Sequence, residues 1–501
     1  MKMKRSTFKV MLFALFGMAL SLAIVSCSSN NDDTDYTDNT GDTGDDDDSP
    51  VDNTDPWANK KAKYTIMLYG CGGGDVDGMY ESAIPQIIDA LNVSSNQVRF
   101  TVMFNTSKDA SRYDPENVPD LYGDWGTCYR YELTPQTDLT KQGYRSKYKY
   151  KNASEVPLYK TSTLVEYINW VKQTAPAENY ILMPVNHGGG TDISQEVTRA
   201  IVYDNNHLDE SGYPFAISQG TIAEALKQTN THLKAIYWCG CMMGQLEVLT
   251  QLAPYCDYQF CSSHVSRAIP SLVSNIVYAI NNSPDDFENA ALLDKQFNDA
   301  DYNRYFIDVP DANNPEVLHN ENCDWGCWRS NKLADINAQV KKLATLICNN
   351  YNDPTKMGQI DYATALTYVF EYDRFFVDVL DYAVNLAERL DEGQNATAKQ
   401  IVTDMENALN AAMVYHNGYI NVINSKGVKV APKKGFYSLG ISIYSSQELY
   451  WLMYGANYKT TDFDKATGWS KFLDINTVGV RQGDTNPANN SSWDLGYLEI
   501  E

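Results

Sequence analysis

Two stretches of the sequence carry residues able to do chemistry. The first, "AIYWCGCMMGQLEVL" (Ala235 to Leu249), holds Cys239 and Cys241 one residue apart, after a hydrophobic run and before a helix-like pattern. The second, "YILMPVNHGGG" (Tyr180 to Gly190), ends in His187 followed by three glycines. A histidine at the end of one strand and a cysteine at the end of another meet across a parallel sheet, and that is the arrangement a thiol nucleophile needs. The imidazole generates the thiolate and later protonates the leaving amine. Glycine after the histidine lets a backbone N–H approach an oxyanion with no Cβ in the way. A helix beginning just after Cys241 places the thiol at the positive end of a dipole, which favours the thiolate. On residue types alone the pair also reads as a disulfide, half of a metal site, or a buried structural cysteine beside a hydrogen-bonded core histidine.

Other chemistries find less support. "YGCGGGDVDG" follows a strand, but Asp75 stands where a dinucleotide loop needs its third glycine, and no Gly-Lys-Ser/Thr is present. Both phosphate-binding fingerprints therefore fail, and the stretch reads as a tight turn. The six histidines (His187, His207, His232, His264, His319 and His416) include no His-Glu-x-x-His pair. "CDWGC" (Cys323, Cys327) has no second pair at zinc spacing, so no metal site is expected. Cys323–Cys327 and Cys256–Cys261 are candidate local disulfides.

The elements that must position the two stretches alternate. "KYTIMLYG" reads as a buried strand, "MYESAIPQIIDALN" as a helix, and "QVRFTVMFNT" as a second strand. "TLVEYINWVKQTAP" is a helix before the strand that ends at His187. "RAIVYD" is a short strand and "TIAEALKQT" a helix before "HLKAIYWCGC", with "GQLEVLTQLAPY" and "DYQFCSSH" as the next helix and strand. Such alternation predicts an α/β fold, a mainly parallel sheet flanked by helices, with chemistry gathered at the carboxyl ends of its strands. Beyond about residue 290 the pattern changes to strongly amphipathic helices ("DRFFVDVLDYAVNLAERL", "TAKQIVTDMENALNAAMVYH"), a hairpin ("YINVINSKGVKVAP") and a further strand ("FYSLGISIYSS"). This is a C-terminal α+β extension, read either as a second subdomain or as an extension of the first sheet.

The 501 residues carry a formal charge of -24, which argues against nucleic acid and anionic membrane surfaces as partners. The segment from Ser28 to Trp57 holds 11 Asp and no Lys or Arg, leaving -13 for the remainder. Before it, "MKMKRSTFK" is a basic n-region and "VMLFALFGMALSLAIV" an apolar core, ending in Ser26-Cys27. A single transmembrane helix is the competing reading of the apolar stretch. The small residue before a cysteine instead resembles a bacterial lipoprotein signal peptide, with Cys27 as the lipidated first residue. The acidic run is then a solvated tether, and its place just after the lipid-bearing cysteine resembles the surface-export signal of Bacteroides-type lipoproteins. The expected location is the outer membrane, at the cell surface. Nine cysteines remain after Cys27, an odd number too sparse for a disulfide-built scaffold.

Four blocks in the right order resemble the clostripain family of cysteine peptidases, which share the caspase–hemoglobinase fold: "YTIMLYG", "VNHGGG", "CGCMMGQLEV", and "GISIY" with "DFDKATGWSKFLD". The resemblance spans about Lys63 to Ile475. It implies a caspase-like core over 58–290, after a signal peptide (1–26) and tether (27–57), with the 291–501 extension in the same peptidase unit. It also implies that His187 is the catalytic histidine and Cys241 the nucleophile, since Met242-Met243-Gly244 follow Cys241 as Leu-Met-Gly does in the family. The N–H groups of Gly188 and Cys241 would form the oxyanion hole. Asp204 matches an acidic position of open role, and Arg199 in "SQEVTRAIVYD" is an autocleavage candidate. The chemistry needs no cofactor; some relatives use calcium, for which no ligand set follows here.

Two departures bear on specificity. The family's Asp two residues before the nucleophile helps bind a basic P1 side chain, and here that substrate-binding position is Cys239. The stretch "SSHVSRAIPS" offers His264 and Arg267 where relatives often carry acids. Burying a guanidinium with no carboxylate costs several kcal/mol, so a neutral or acidic P1 becomes plausible. The expected function is a membrane-tethered extracytoplasmic cysteine endopeptidase acting on a peptide or protein substrate. The alternatives are a catalytically silent binding lipoprotein of the same fold and, given 35 Tyr and 9 Trp, a glycan-directed surface lipoprotein, for which no carboxylate pair can be picked out.

Overall fold

The computed structural model describes residues 57, 61–71, 75–108, 124–191, 201–210, 212–264, 266, 270–305, 309–310, 318–319, 323–367, 370, 376–390, 392–419, 422–423, 429–430, 439–443 and 455–476. Its framework is a nine-stranded sheet. Strands β1 (Ala62–Cys71), β2 (Val98–Asn105), β3 (Thr127–Leu133) and β4 (Lys149–Asn152) lie toward one edge, and β5 (Ala177–Val185) pairs with the other side of β1. A two-stranded ribbon, β6 (Ile201–Leu208) with β7 (Pro214–Ile217), stands apart before β8 (Leu233–Tyr237) and β9 (Cys256–Cys261) return to the sheet. The five strands β9-β8-β5-β1-β2 are mutually parallel. They read as near-continuous apolar runs because both faces are covered, and β2 is buried at every position.

Antiparallel strands finish each edge. β3 and β4 follow β2, and β10 (Cys323–Arg329) follows β9. Two short strands, β11 (Phe376–Asp378) and β13 (Gly440–Ser442), pair with each other outside the main sheet, while β12 (Met413–Tyr419) joins β10. Thus β10 and β12, both beyond residue 290, extend the first sheet. The expected hairpin is represented by the antiparallel pairing of Val422–Ile423 with Lys429–Val430.

The β10 assignment corrects the disulfide expectation. Cys323 and Cys327 lie in one extended strand, as do Cys256 and Cys261. At about 3.3 Å per residue the members of each pair stand roughly 13 Å and 17 Å apart, beyond the ~7 Å limit for a bridge. Cys256, Cys261 and Cys327 are free thiols.

Helices cover both faces. On one, α1 (Asp75–Leu91), α5 (Pro270–Asn282) and α6 (Phe287–Tyr305) pack over Ile66, Leu68, Met183, Tyr237 and Phe260. On the other, α2 (Thr161–Thr174), α3 (Gln219–Gln228) and α4 (Leu246–Leu252) join α7 (Leu333–Asn350), α8 (Pro354–Leu366), α9 (Val379–Arg389) and α10 (Glu392–Ala412) around Leu182, Ile236 and Trp238. Alternation along β8 sends Tyr237 to the first face and Trp238 to the second. The architecture is the expected mixed α/β fold, a mostly parallel sheet flanked by helices. Chain order reverses at β1, since β2 lies on one side and β5 on the other, and in such sheets sites form beyond the carboxyl ends near the reversal.

Candidate active site

His187 and Cys241 lie just past the carboxyl ends of β5 and β8, neighbouring parallel strands. The pairing runs past the regular ladder: Cys239 donates its N–H to Pro184 O at 3.0 Å, and Asn186 N–H donates to Cys239 O at 3.3 Å. Beyond this the two segments interlock. A Cβ on Gly188 would stand 2.7 Å from Cys241 N and 2.9 Å from the Gly240 carbonyl carbon, and closer still to Cys241 O. Glycine is required there for close approach. Gly190 is required for a second reason as well: its φ is +74°, and a Cβ would meet the Phe376 ring at 2.6 Å. Residues of the His187 and Cys241 segments are thereby in contact through their backbones, with Gly188 and Cys241 side by side.

Cys241 is buried, and its Sγ lies 3.6 Å from Ser266 O. The next residue, Met242, holds φ +55°, a left-handed conformation that is strained for a side chain of its kind. Three hydrogen bonds fix this turn against the segment after β9. Met242 N–H donates to His264 O at 2.8 Å, Gly244 N–H to Ser262 O at 2.7 Å, and Ser263 Oγ to Gly244 O at 2.9 Å. The turn delays the helix: α4 begins at Leu246 with Gln245 as its N-cap, so four residues separate it from the thiol. The helix expected from Gly244 onward thus starts two residues later, which sets its positive end farther from the sulfur.

Cys239 is a free thiol and lies beside the α5/α6 face of the sheet. Burial, and then the carboxyl group of Asp294, push its pKa up. Asp294 is itself fully buried on α6, held by Tyr237 Oη at 3.3 Å, Tyr415 Oη at 3.2 Å and Asn298 Nδ2 at 3.0 Å. All of these donors are neutral, and burial pushes its pKa up to about 8.

Asp204 is buried on β6. It accepts from Leu158 N–H at 3.0 Å and Asn206 N–H at 3.2 Å and pairs with His207 Nδ1 at 2.8 Å. Its part is to fix β6, and hydrogen bonding to it raises the pKa of His207. His264 is buried against the Phe370 ring, at a centroid distance of 4.9 Å. Arg199, Arg267 and Cys27 lie outside the described residues. Among the described residues no group of three or more His, Cys, Asp or Glu side chains is placed to hold a metal ion. Nor is any described helix long and apolar enough to cross a membrane.

Residues that sequence reasoning passed over complete the surroundings. Asp324 of β10 binds the 262–264 segment, and Glu247 of α4 binds the C-terminal elements. Asp324 is in "CDWGC", where the cysteines drew attention; Glu247 is inside the "CGCMMGQLEV" block itself.

A mostly parallel, helix-flanked sheet that brings a histidine segment and a cysteine segment together at adjacent carboxyl-terminal strand ends is the architecture of caspase-like cysteine peptidases. Within that class the chain belongs to the clostripain family, whose model matches residues 146–475. It is 23% identical over 198 residues to clostripain of Hathewaya histolytica, a match covering 39% of this chain and 37% of that protein, so it spans little more than a third of that relative. Among solved structures it resembles a secreted C11 cysteine protease of Bacteroides thetaiotaomicron ("iotapain"), with a TM-score of 0.53 and 14% identity over 81% of this chain and 99% of the other. A secreted C11 cysteine protease from the same organism, in complex with an irreversible peptide inhibitor, aligns with a TM-score of 0.52 and 13% identity over the same shares. At these identities the structural likeness is one of fold.

Proposed function

We propose that this chain is an exported cysteine endopeptidase of clostripain type in which His187 and Cys241 form the catalytic dyad. The observation that carries the reading is the interlock of Gly188 with Gly240 and Cys241, which brings the histidine and cysteine segments into backbone contact. In the reaction His187 takes the Cys241 proton, and the thiolate adds to the scissile carbonyl. The resulting oxyanion is held by the N–H groups of Gly188 and Cys241. Collapse of that intermediate breaks the C–N bond, with His187 protonating the departing amine, and leaves a thioester on Cys241. Water, deprotonated by His187, then attacks the thioester, releases the carboxylate product and restores the thiol. The substrate is a peptide or protein, in keeping with the peptide-derived inhibitor bound by the structural relative. Lipidation at Cys27 would tether the enzyme to the outer membrane at the cell surface, and cleavage at Arg199 would be its maturation step if basic P1 residues are accepted.

Cys239 is a free thiol, so the silent-binder reading lacks the Cys239–Cys241 disulfide that would block the nucleophile. The test is a peptide-library cleavage assay on wild type and Cys241→Ala under reducing conditions. Wild type cuts a defined subset and Cys241→Ala none; full activity in Cys241→Ala overturns the dyad.

A further inference from the structure

The structure assigns Asp324 as a positioning residue that holds the nucleophile turn through the Ser262–His264 segment. This inference rests on the dyad reading above. The carboxylate is buried on β10 and makes a complete set of short contacts with one segment: Oδ1 accepts from Ser262 Oγ at 2.6 Å and from His264 N–H at 2.7 Å, and Oδ2 accepts from Ser263 N–H at 3.1 Å. Two successive backbone N–H groups directed at one anion form a nest, a geometry that a neutral side chain does not satisfy. The segment so fixed is the one that grips the nucleophile turn. His264 O receives Met242 N–H, Ser262 O receives Gly244 N–H, and Ser263 Oγ reaches Gly244 O. From Asp324 to Met242 the chain of contacts passes through a single residue, His264.

Met242 needs such a support. Its φ of +55° places it in a sparsely populated region, and strain of that kind persists only where the surroundings over-determine it. Asp324 also has two histidines for neighbours. His416 Nε2 stands 3.7 Å from Oδ2, too far for a hydrogen bond. Burial alone raises the Asp324 pKa, but His416 and then His264, with the Ser262 hydroxyl, outweigh it and leave the carboxyl below its usual range. The group is therefore ionised at neutral pH, as the nest requires.

The experiment compares full-length wild type, Asp324→Asn, Ser262→Ala and the double variant by three readouts. These are kcat and KM on the library peptide that wild type cuts fastest, the rate of Cys241 alkylation by iodoacetamide followed by peptide mass mapping, and near-ultraviolet circular dichroism. In Asp324→Asn the amide faces the Ser263 N–H with a second donor, so the turn loosens. Because a misplacement of about 1 Å costs on the order of 100-fold, kcat falls by that order while KM stays within about twofold, and Cys241 alkylation slows in parallel. Since Ser262→Ala acts on the same contact, the double variant is no worse than Asp324→Asn alone. A folded Asp324→Asn enzyme with wild-type kcat and alkylation rate overturns the assignment, and so does full additivity of the two substitutions. If wild type cuts no peptide the dyad reading fails, yet Cys241 alkylation still decides whether Asp324 sets the thiol's geometry. If Asp324→Asn does not fold, Ser262→Ala decides by the same kcat and alkylation criteria.

Discussion

Gly188 packs against the backbone of Cys241 with no room for a methyl group: an ideal Cβ on Gly188 would stand 2.7 Å from Cys241 N, and nearer to Cys241 O. Those atoms belong to backbone and cannot rotate out of the way. Gly188→Ala must therefore push the nucleophile segment off the histidine segment without removing any reacting side chain. The expected outcome is a folded protein whose kcat/KM falls by about two orders of magnitude or more, as for other small misplacements of reacting groups. Steady-state kinetics beside a thermal melt separates this from global unfolding, and wild-type kinetics in Gly188→Ala would contradict the interlock.

Asp294 leads to a prediction in pH. Its carboxyl is buried among neutral donors, with a pKa raised by burial to about 8, whereas the unfolded chain titrates near the ordinary value of 3.8. Between these values the folded state keeps a proton that the unfolded state has lost. The stability contribution is thus fully present below the unfolded value and is lost as pH rises through the folded one. One such group lowers unfolding free energy by up to about 1.4 kcal/mol per pH unit across that window. Asp294→Asn keeps an acceptor for the hydroxyls of Tyr237 and Tyr415 and does not ionise. Urea unfolding at pH 5, 6.5 and 8 should give a shallower decline for the variant than for wild type, and equal slopes would show that Asp294 is ionised in the folded protein.

Specificity follows from the same neighbourhood. By the resemblance read in the sequence, Cys239 takes the place of a carboxylate that binds a basic P1 residue, and the Tyr237, Asn298 and Tyr415 groups that bond Asp294 behind it are neutral. Cys239→Asp should raise kcat/KM for Arg or Lys at P1 by at least about tenfold relative to a matched neutral peptide, since one charge-assisted contact is worth roughly 1.5–3 kcal/mol. It also sets a second carboxyl group near Asp294, which carries charge only above a pH of about 8, so like-charge repulsion is confined to that range. Above a pH of about 8 Cys239→Asp should therefore be less stable alone than combined with Asp294→Asn. Paired peptide kinetics and urea unfolding of both variants check the two statements separately.

What was legible in the sequence tracks how local each signal is. β1, β5 and β8 announce themselves because strands buried on both faces are unbroken apolar runs: "KYTIMLYG" matches Ala62–Cys71 to within a residue at each end. β3 and β10 were hidden. "TCYRYEL" mixes polar and aromatic residues as an antiparallel strand does, and "CDWGCWR" reads first as a cysteine pair. α4 starts two residues after the expected Gly244, because Gly244 and the left-handed turn at Met242 are held by hydrogen bonds to residues some 20 positions later. His187 and Cys241 could be picked out from their flanking glycines and the Met-Met-Gly block. Asp324 could not, because its partners lie about 60 residues away and a single aspartate between two cysteines has no periodic or local pattern.

Glu247 ties the nucleophile's helix to the C-terminal elements. Its Oε1 accepts from Ser442 N–H and from Tyr458 Oη, each at 2.9 Å, and the residue is almost wholly buried. Burial raises its pKa, while those donors pull the other way without overcoming it. The carboxyl group matters here as an acceptor more than as a charge. Glu247→Gln retains an oxygen for both donors and should stay within about 1 kcal/mol of wild type, close to the net worth of one ordinary hydrogen bond. Glu247→Ala strands a buried N–H and a buried hydroxyl at about 1–3 kcal/mol each, so a loss of roughly 2–6 kcal/mol is expected. Because β13 also pairs with β11, whose Phe376 ring fills the space beside Gly190, the loss should extend to the histidine segment and lower activity along with stability. Denaturant unfolding and kcat/KM measured on both variants test this, and an alanine variant as stable and active as the glutamine variant would remove Glu247 from the link.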